Sequence, residues 1–484
     1  MSAAASAIAI SAHSRLPLPG ALFEILAYLA VIAAASLAFV AGWLSIDAAV
    51  VLTVFILGSL IVLAWIHLGQ GRHPVFLFLC SLMFFQGGRL IGDCLGSEPD
   101  PMSVVNMVLA PYEVPRWVSG QTLLAIALSA VLVYAPCRWL YRPTSPPDFL
   151  PAQRYLPYLY ILFAAVLPIQ LFKNYRYYQY AMEHGGYTFF YTDRAALASS
   201  VPFLLRSIPL IALPVFLAIF VFEQRRSRIY LATTLYFATA SLILLLGSRA
   251  GPLLLVGTLW WVSRIKSDRK PRILPLVVLA LGLLLVADVV QENRKGEGEA
   301  GSYKFSPVNL VISQGISINT TEVAIQYRDL FRPYASSYLL TELQSAFVAS
   351  DVTNYRRGKS LAIDVSVFLQ PALYSAGFGT GGSYIAEEYV IAAMTGVAVI
   401  SIVLGLVLQL FYRFSSNPLT LYLCAIAFPD FLLMPKGQLL DWISVFLKNL
   451  ILIAFVVLGW SIYSMLCSIR HTPSLANGPG TSTV

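Results

Sequence analysis

Apolar runs of about twenty residues, repeated along most of the chain and parted by short connections, constrain this sequence more than any other feature. A run of about twenty apolar residues is one helical bilayer crossing. Twelve runs read as spans: 22–42, 47–67, 73–95, 118–138, 156–174, 202–222, 229–247, 251–265, 272–290, 388–412, 418–434 and 443–467. Gly87, Gly88, Arg89 and Asp93 interrupt the third, and the eighth is short. Of the 484 residues 58% are hydrophobic and 12% charged, against about 45–50% and about 25% in soluble chains. The expected fold is therefore an all-α polytopic integral membrane protein with about 12 transmembrane helices.

The spans divide the chain into five parts. Residues 1–21 form an N-terminal segment, and 22–290 a transmembrane region with outward loops near 96–117 and 175–201. A large outward loop covers 291–387, a second transmembrane region 388–467, and a disordered tail 468–484. Lys and Arg of short connections accumulate on the cytoplasmic side of membrane proteins. With the N-terminus inside, the inner connections gather Arg72, Arg138, Arg142, Arg154, Arg225, Arg226 and Arg228. They continue with Arg264, Lys266, Arg269, Lys270, Arg272, Arg413 and Arg470. Both termini are thus expected in the cytoplasm, and the isoelectric point of about 9.1 reflects orientation. No basic run interleaves with aromatics as nucleic-acid binding requires. The first 20 residues lack the pattern of a cleavable signal peptide. Five cysteines without a CxxC pair give neither a disulfide framework nor a cysteine-ligated metal.

Long loops in compact proteins carry function or are disordered, and these loops are not low in complexity. Residues 175–201 are rich in aromatics and hold Arg176, His184 and Arg194; residues 291–386 hold eight basic and eight acidic residues. Residues 337–350 read as a helix with Leu339, Leu340, Leu343 and Phe347 on one face. Residues 361–373 are apolar enough to lie on the membrane. Aromatic faces stack on sugar rings and arginines grip phosphate oxygens through paired, charge-assisted hydrogen bonds, so this mixture, with its apolar underside, suits a ligand with sugar and lipid parts.

Charges in or near the membrane point more sharply, because burying an unpaired ion is costly. Arg89 and Asp93 stand one helical turn apart and are placed to neutralise each other. Arg206, Arg249, Asp288 and Lys448 also sit toward the outer ends of spans, while Asp430 lies beside Pro429 within one. The chain carries no Walker A loop, HExxH pair or GxSxG elbow. Glu98 and Asp100 are spaced like a metal-holding acidic pair, but Gly and Pro flank them as in a plain turn. No metal and no cofactor are expected.

Two short motifs carry a resemblance. Gly247-Ser248-Arg249-Ala250-Gly251 joins two spans, and Gly377-Phe378-Gly379-Thr380-Gly381-Gly382-Ser383-Tyr384 leads to Ala386, Glu387 and Tyr389. In this order the chain resembles the O-antigen polymerase family, the oligosaccharide repeat-unit polymerases of the Wzy type. Paired Arg-x10-Gly motifs, present in some members, are absent here. The resemblance implies a GT-C-like membrane glycosyltransferase in a bacterial inner membrane with its active site facing the periplasm. It implies donor and acceptor glycans on undecaprenyl pyrophosphate, which leaves as the bond forms, and a chain-length-regulating co-polymerase as partner. Under it Arg249, Arg176 and Arg194, with Arg328, Arg332 and Arg89, contact pyrophosphate. Glu387 is then the base or orienting group, with His184 second. The product is a surface polysaccharide such as O-antigen or exopolysaccharide. An O-antigen ligase is the alternative within the same chemistry, but residues 291–386 lack the His expected of one. A lipid-linked oligosaccharide flippase is the other alternative, and no internal repeat supports it.

Overall fold

The computed structural model describes residues 18–96, 114–184, 194–206, 208–245, 250–267, 282, 311–312, 314–344, 347, 357–375, 379–451 and 453–454. All elements among them are helical. The principal ones are α1 (Leu18–Val40), α2 (Ile46–His67), α3 (Val75–Phe85), α4 (Gly87–Cys94), α5 (Arg116–Trp139), α6 (Leu156–Glu183) and α7 (Pro209–Phe222). They continue with α8 (Arg226–Leu245), α9 (Ala250–Lys266), α10 (Ser317–Gln326), α11 (Ala335–Gln344), α12 (Leu361–Leu369), α13 (Tyr384–Phe414) and α14 (Pro418–Leu433). Among the described residues, α1, α2, α5, α6 and α13 are long and apolar enough to cross a membrane. The bent pair α3–α4 makes a sixth candidate span, and α7 and α14 are shorter apolar helices. The expected span 272–290 and most of 443–467 lie outside the described residues.

Local chemistry marks the helix starts. Ser45 caps α2 by accepting the Ala48 N–H at 3.2 Å, with Asp47 in the first turn. Asn417 caps α14 by accepting the Leu419 N–H at 2.9 Å, and Pro418 takes the first position, where a missing N–H costs nothing. The buried helix α5 forms the axis of one helix group and packs against α1, α2, α10 and α13. The helices α6, α7 and α8 form a second group, joined to the first where α7 and α9 meet α14.

The connections segregate to two ends. At one, Arg72 donates to Ser267 O at 3.2 Å, His73 pairs with Gln409 at 2.8 Å, and Gln409 donates to Leu140 O at 2.8 Å. At the other, Arg116 donates to Leu44 O at 2.9 Å and Gln86 to Pro435 O at 2.6 Å.

Several elements differ from their sequence reading. The third run is two helices bent by 58° about Gln86, where Gly87 and Gly88 weaken the helix. The fifth does not stop at residue 174: α6 continues to Glu183 and carries Arg176 on a helix instead of a loop. Much of 291–387 is a folded layer. Its α10 packs on α5 and α13, and α12 joins Val323, Phe331 and Tyr338 in a small core of its own. The helix expected over 337–350 is α11, but its buried positions are Tyr338 and Glu342, while Leu340 and Phe347 are exposed. Polar partners, not the apolar stripe, orient this helix: Tyr338 donates to Asp364 at 2.8 Å.

Candidate functional site

The Gly-rich motif before α13 builds the site through backbone approach. Gly382 N donates to Lys436 O at 2.8 Å, and Tyr384 N to Met434 O at 3.2 Å. A Cβ on Gly382 would stand 2.6 Å from Gly437 O, so glycine is what lets the two segments meet. Ser383 then caps α13 by accepting the Ala386 N–H at 3.3 Å. Its hydroxyl also meets Thr321 at 2.8 Å and accepts from Gln86 at 3.0 Å, tying α10 and the α3–α4 bend to the start of α13.

This start carries the acidic residues. Glu387, 3% exposed, accepts the Leu439 N–H at 2.8 Å. Glu342 of α11, equally buried, accepts the Leu440 N–H at 2.6 Å and shares a carboxyl–carboxyl hydrogen bond with Glu387. Such a bond needs one proton between the two groups. Burial, reinforced by the charges of Glu387 and Asp441, pushes the Glu342 carboxyl well above the usual range. Burial also raises Asp441, which accepts the Gln438 N–H at 3.3 Å.

The next residue, Glu388, is fully buried and faces hydroxyls: Ser401 donates to it at 3.2 Å, Ser129 meets Ser401 at 2.7 Å, and Tyr384 meets Ser129 at 2.8 Å. Just beyond, α13 breaks. Ala392 and Ala393 leave helical geometry, with Ala393 at φ 52°, a conformation that costs about 1–3 kcal/mol and concentrates at functional sites. Across the break the Glu388 carbonyl lies only 2.1 Å from where a Cβ on Gly396 would stand. Arg328 Nε donates at 3.0 Å to the Tyr389 carbonyl near this break.

The structure brings part of the expected residue set together. Glu387 and Arg328 adjoin the first turns of α13, and Arg89 on α4 donates to Asn319 of α10. The Arg89 charge acts on Asp93, its i,i+4 neighbour, and on Glu322 as well. Burial leaves Glu322 raised to about 7 despite that cation. Arg332 is exposed in a short 3-10 turn. Arg176 donates to Gln179 on its own helix at 3.2 Å, and His184 ends that helix with its ring stacked on Tyr180 at 4.1 Å. Both belong to the α6–α8 group, apart from Glu387 on α13. Arg249, the Arg194 side chain, Asp288, and Glu98 with Asp100 lie outside the described residues.

Sequence reasoning missed Glu342, Glu388 and Asp441. For Glu388 the signal was present, since an acid followed by a long apolar run is costly in lipid unless partnered. Glu342 sat inside a helix whose Leu positions drew attention to the opposite face.

Membrane-length helices and a buried acidic cluster at one end define a multi-pass membrane protein with a polar site built on its bundle. A profile of the O-antigen polysaccharide polymerase Wzy family matches residues 22–466, nearly the whole chain. The chain belongs to that family, and is a glycosyltransferase-type polymerase of a bacterial inner membrane acting on lipid-linked glycan repeat units. No curated protein and no solved structure matches it.

Proposed function

We propose that the chain polymerises undecaprenyl-pyrophosphate-linked repeat units at the periplasmic face, within a GT-C-like bundle of about twelve helices whose termini are cytoplasmic. The expected order of parts, with 291–387 as a folded periplasmic layer, belongs to this reading. The observation that carries it is the placement of Glu387: a buried carboxylate at a helix start, held by the turn at 439–440 and covered by α11 of the long outward segment. An acceptor hydroxyl attacks the anomeric carbon of the donor glycan. The C–O bond to pyrophosphate breaks, and undecaprenyl pyrophosphate leaves with the electron pair. The hydroxyl proton passes to Glu387 acting as base or orienting group, with His184 the second candidate. Arg89 and Arg328 stand on the same side of the bundle, and Arg249, Arg176, Arg194 and Arg332 complete the cationic set for the leaving pyrophosphate. A co-polymerase that sets chain length is the expected partner, and O-antigen or exopolysaccharide the product.

Reconstitution of the purified protein with undecaprenyl-pyrophosphate-linked repeat units tests the proposal. A ladder of lipid-linked products formed without ATP is the expected result. Transfer only when lipid A-core is supplied would instead make the chain a ligase, and movement of substrate between leaflets without coupling a flippase.

A further inference from the structure

We propose that the opposite end of the bundle holds one anionic phospholipid, seated in a groove between α6, α8 and the turn that joins α7 to α8. The groove is open along one side and offers about 620 Å³. Leu156 and Phe163 of α6 face Leu231 and Leu235 of α8 across it, while Arg225 and Arg228 stand at its mouth. From Arg228 to Leu235 the helix rises about 10 Å, so the groove passes from cations to an apolar wall along a helix direction. A phospholipid has this polarity, with phosphate at the interface and acyl chains running inward.

Charge at the mouth selects the headgroup. Glu223 is the acid there, and its oxygens are already engaged. Oε1 accepts the Gln224 and Arg225 N–H groups at 2.9 and 2.8 Å, and Oε2 accepts the Tyr160 hydroxyl at 2.7 Å. These bonds and the Arg228 charge hold the Glu223 carboxyl below its usual range against the effect of burial. Arg228 lies 3.6 Å from Glu223 and 5.9 Å from the centre of the Tyr160 ring, yet its side chain remains 50% exposed. The Arg225 guanidinium has no partner among the described residues. Lys266 donates to Phe220 O and Glu223 O at 2.7 and 2.6 Å and so fixes the turn that carries Glu223 and Arg225. Two arginines against one committed carboxylate favour a ligand with net negative charge, and arginine matches phosphate with paired donors. Leu231 is 61% exposed, which leaves the wall open to a chain arriving sideways from the bilayer. This end also carries the Arg72 and Gln409 contacts, so the site is separate from the acidic cluster and independent of the polymerase reading.

Native mass spectrometry of the full-length protein, delipidated and offered phosphatidylglycerol or phosphatidylcholine at equal concentration, reads the site. Phosphatidylglycerol should be retained about tenfold more. Arg225→Gln with Arg228→Gln should reduce it to the phosphatidylcholine level. Leu231→Trp, which keeps the charges and fills the groove, should displace it as well and decides the matter if the double variant does not fold. Equal retention of the two lipids, or unchanged phosphatidylglycerol in the folded variants, overturns the proposal. Competition by inorganic phosphate at equal concentration would reassign the site to a free anion and overturn it too.

Discussion

Glu387 accepts the Leu439 N–H and Glu342 the Leu440 N–H, so carboxyl groups from two distant segments hold consecutive peptide groups of a single turn. The hydrogen bond between them completes a closed arrangement of loop helix, turn and α13. Each part of it yields a measurement.

Glu387→Gln keeps an acceptor for the Leu439 N–H but removes the base. Polymer formation in the reconstituted system should fall by about 100-fold or more, the usual contribution of a positioned base. Thermal unfolding should shift little. Retained ladder synthesis removes Glu387 from the chemistry.

The folded-state pKa of Glu342 is raised above its unfolded value near 4.3, so its contribution to stability is complete below that value. The contribution is lost as pH rises through the folded pKa, when the shared proton leaves and two buried charges repel. The hydrogen-exchange protection factor across 335–344, which removes the intrinsic base-catalysed rise in rate, should therefore fall toward alkaline pH. In Glu342→Gln, which stays neutral and can still donate, that pH dependence should disappear; its persistence would place the titration elsewhere.

Arg328→Ala leaves the Tyr389 carbonyl without its donor beside the α13 break. Losing a hydrogen bond from a charged group to a buried acceptor costs about 1.5–3 kcal/mol. The melting temperature of the purified protein should drop accordingly. An unchanged melting temperature would show that the carbonyl finds another donor.

Gly382→Ala forces a Cβ against the Gly437 carbonyl. Overpacking of this kind costs about 1–3 kcal/mol, and here it separates the cap of α13 from the 434–437 turn. Reduced stability and reduced polymerisation are expected together, read by unfolding and by the product ladder. Activity retained at full stability would show that the two segments have room to part.

Arg249→Ala tests the proposed cationic set. Chain growth should stop while the protein remains folded by size-exclusion chromatography. Ladder formation by the variant would exclude Arg249 from pyrophosphate contact.

The sequence disclosed the membrane helices because lipid demands long apolar runs with internally paired backbone, and Gly87 with Gly88 announced the bend between α3 and α4. The Gly-rich motif located the start of α13. Periodicity did not show that α11 buries Tyr338 and Glu342, since polar anchors to Asp364 and to the 440 peptide outweigh its leucines. Nor did it show Gln86, Thr321 and Ser383 meeting, because such contacts join segments hundreds of residues apart and leave no local signal. His184 and Arg176 looked like loop residues only because the apolar run ended before the helix did.

The interruption at Ala392 and Ala393 has a mechanical consequence. An unbroken helix transmits tilt and axial load along its hydrogen-bond ladder, and this one cannot do so across the break. Residues 384–391 are instead tied to α10 and to the 434–440 turn, and the Ser401–Glu388 hydrogen bond bridges the break. Tilt of the crossing rod therefore reaches Glu387 and Glu388 through a side-chain bond and not through the helix ladder.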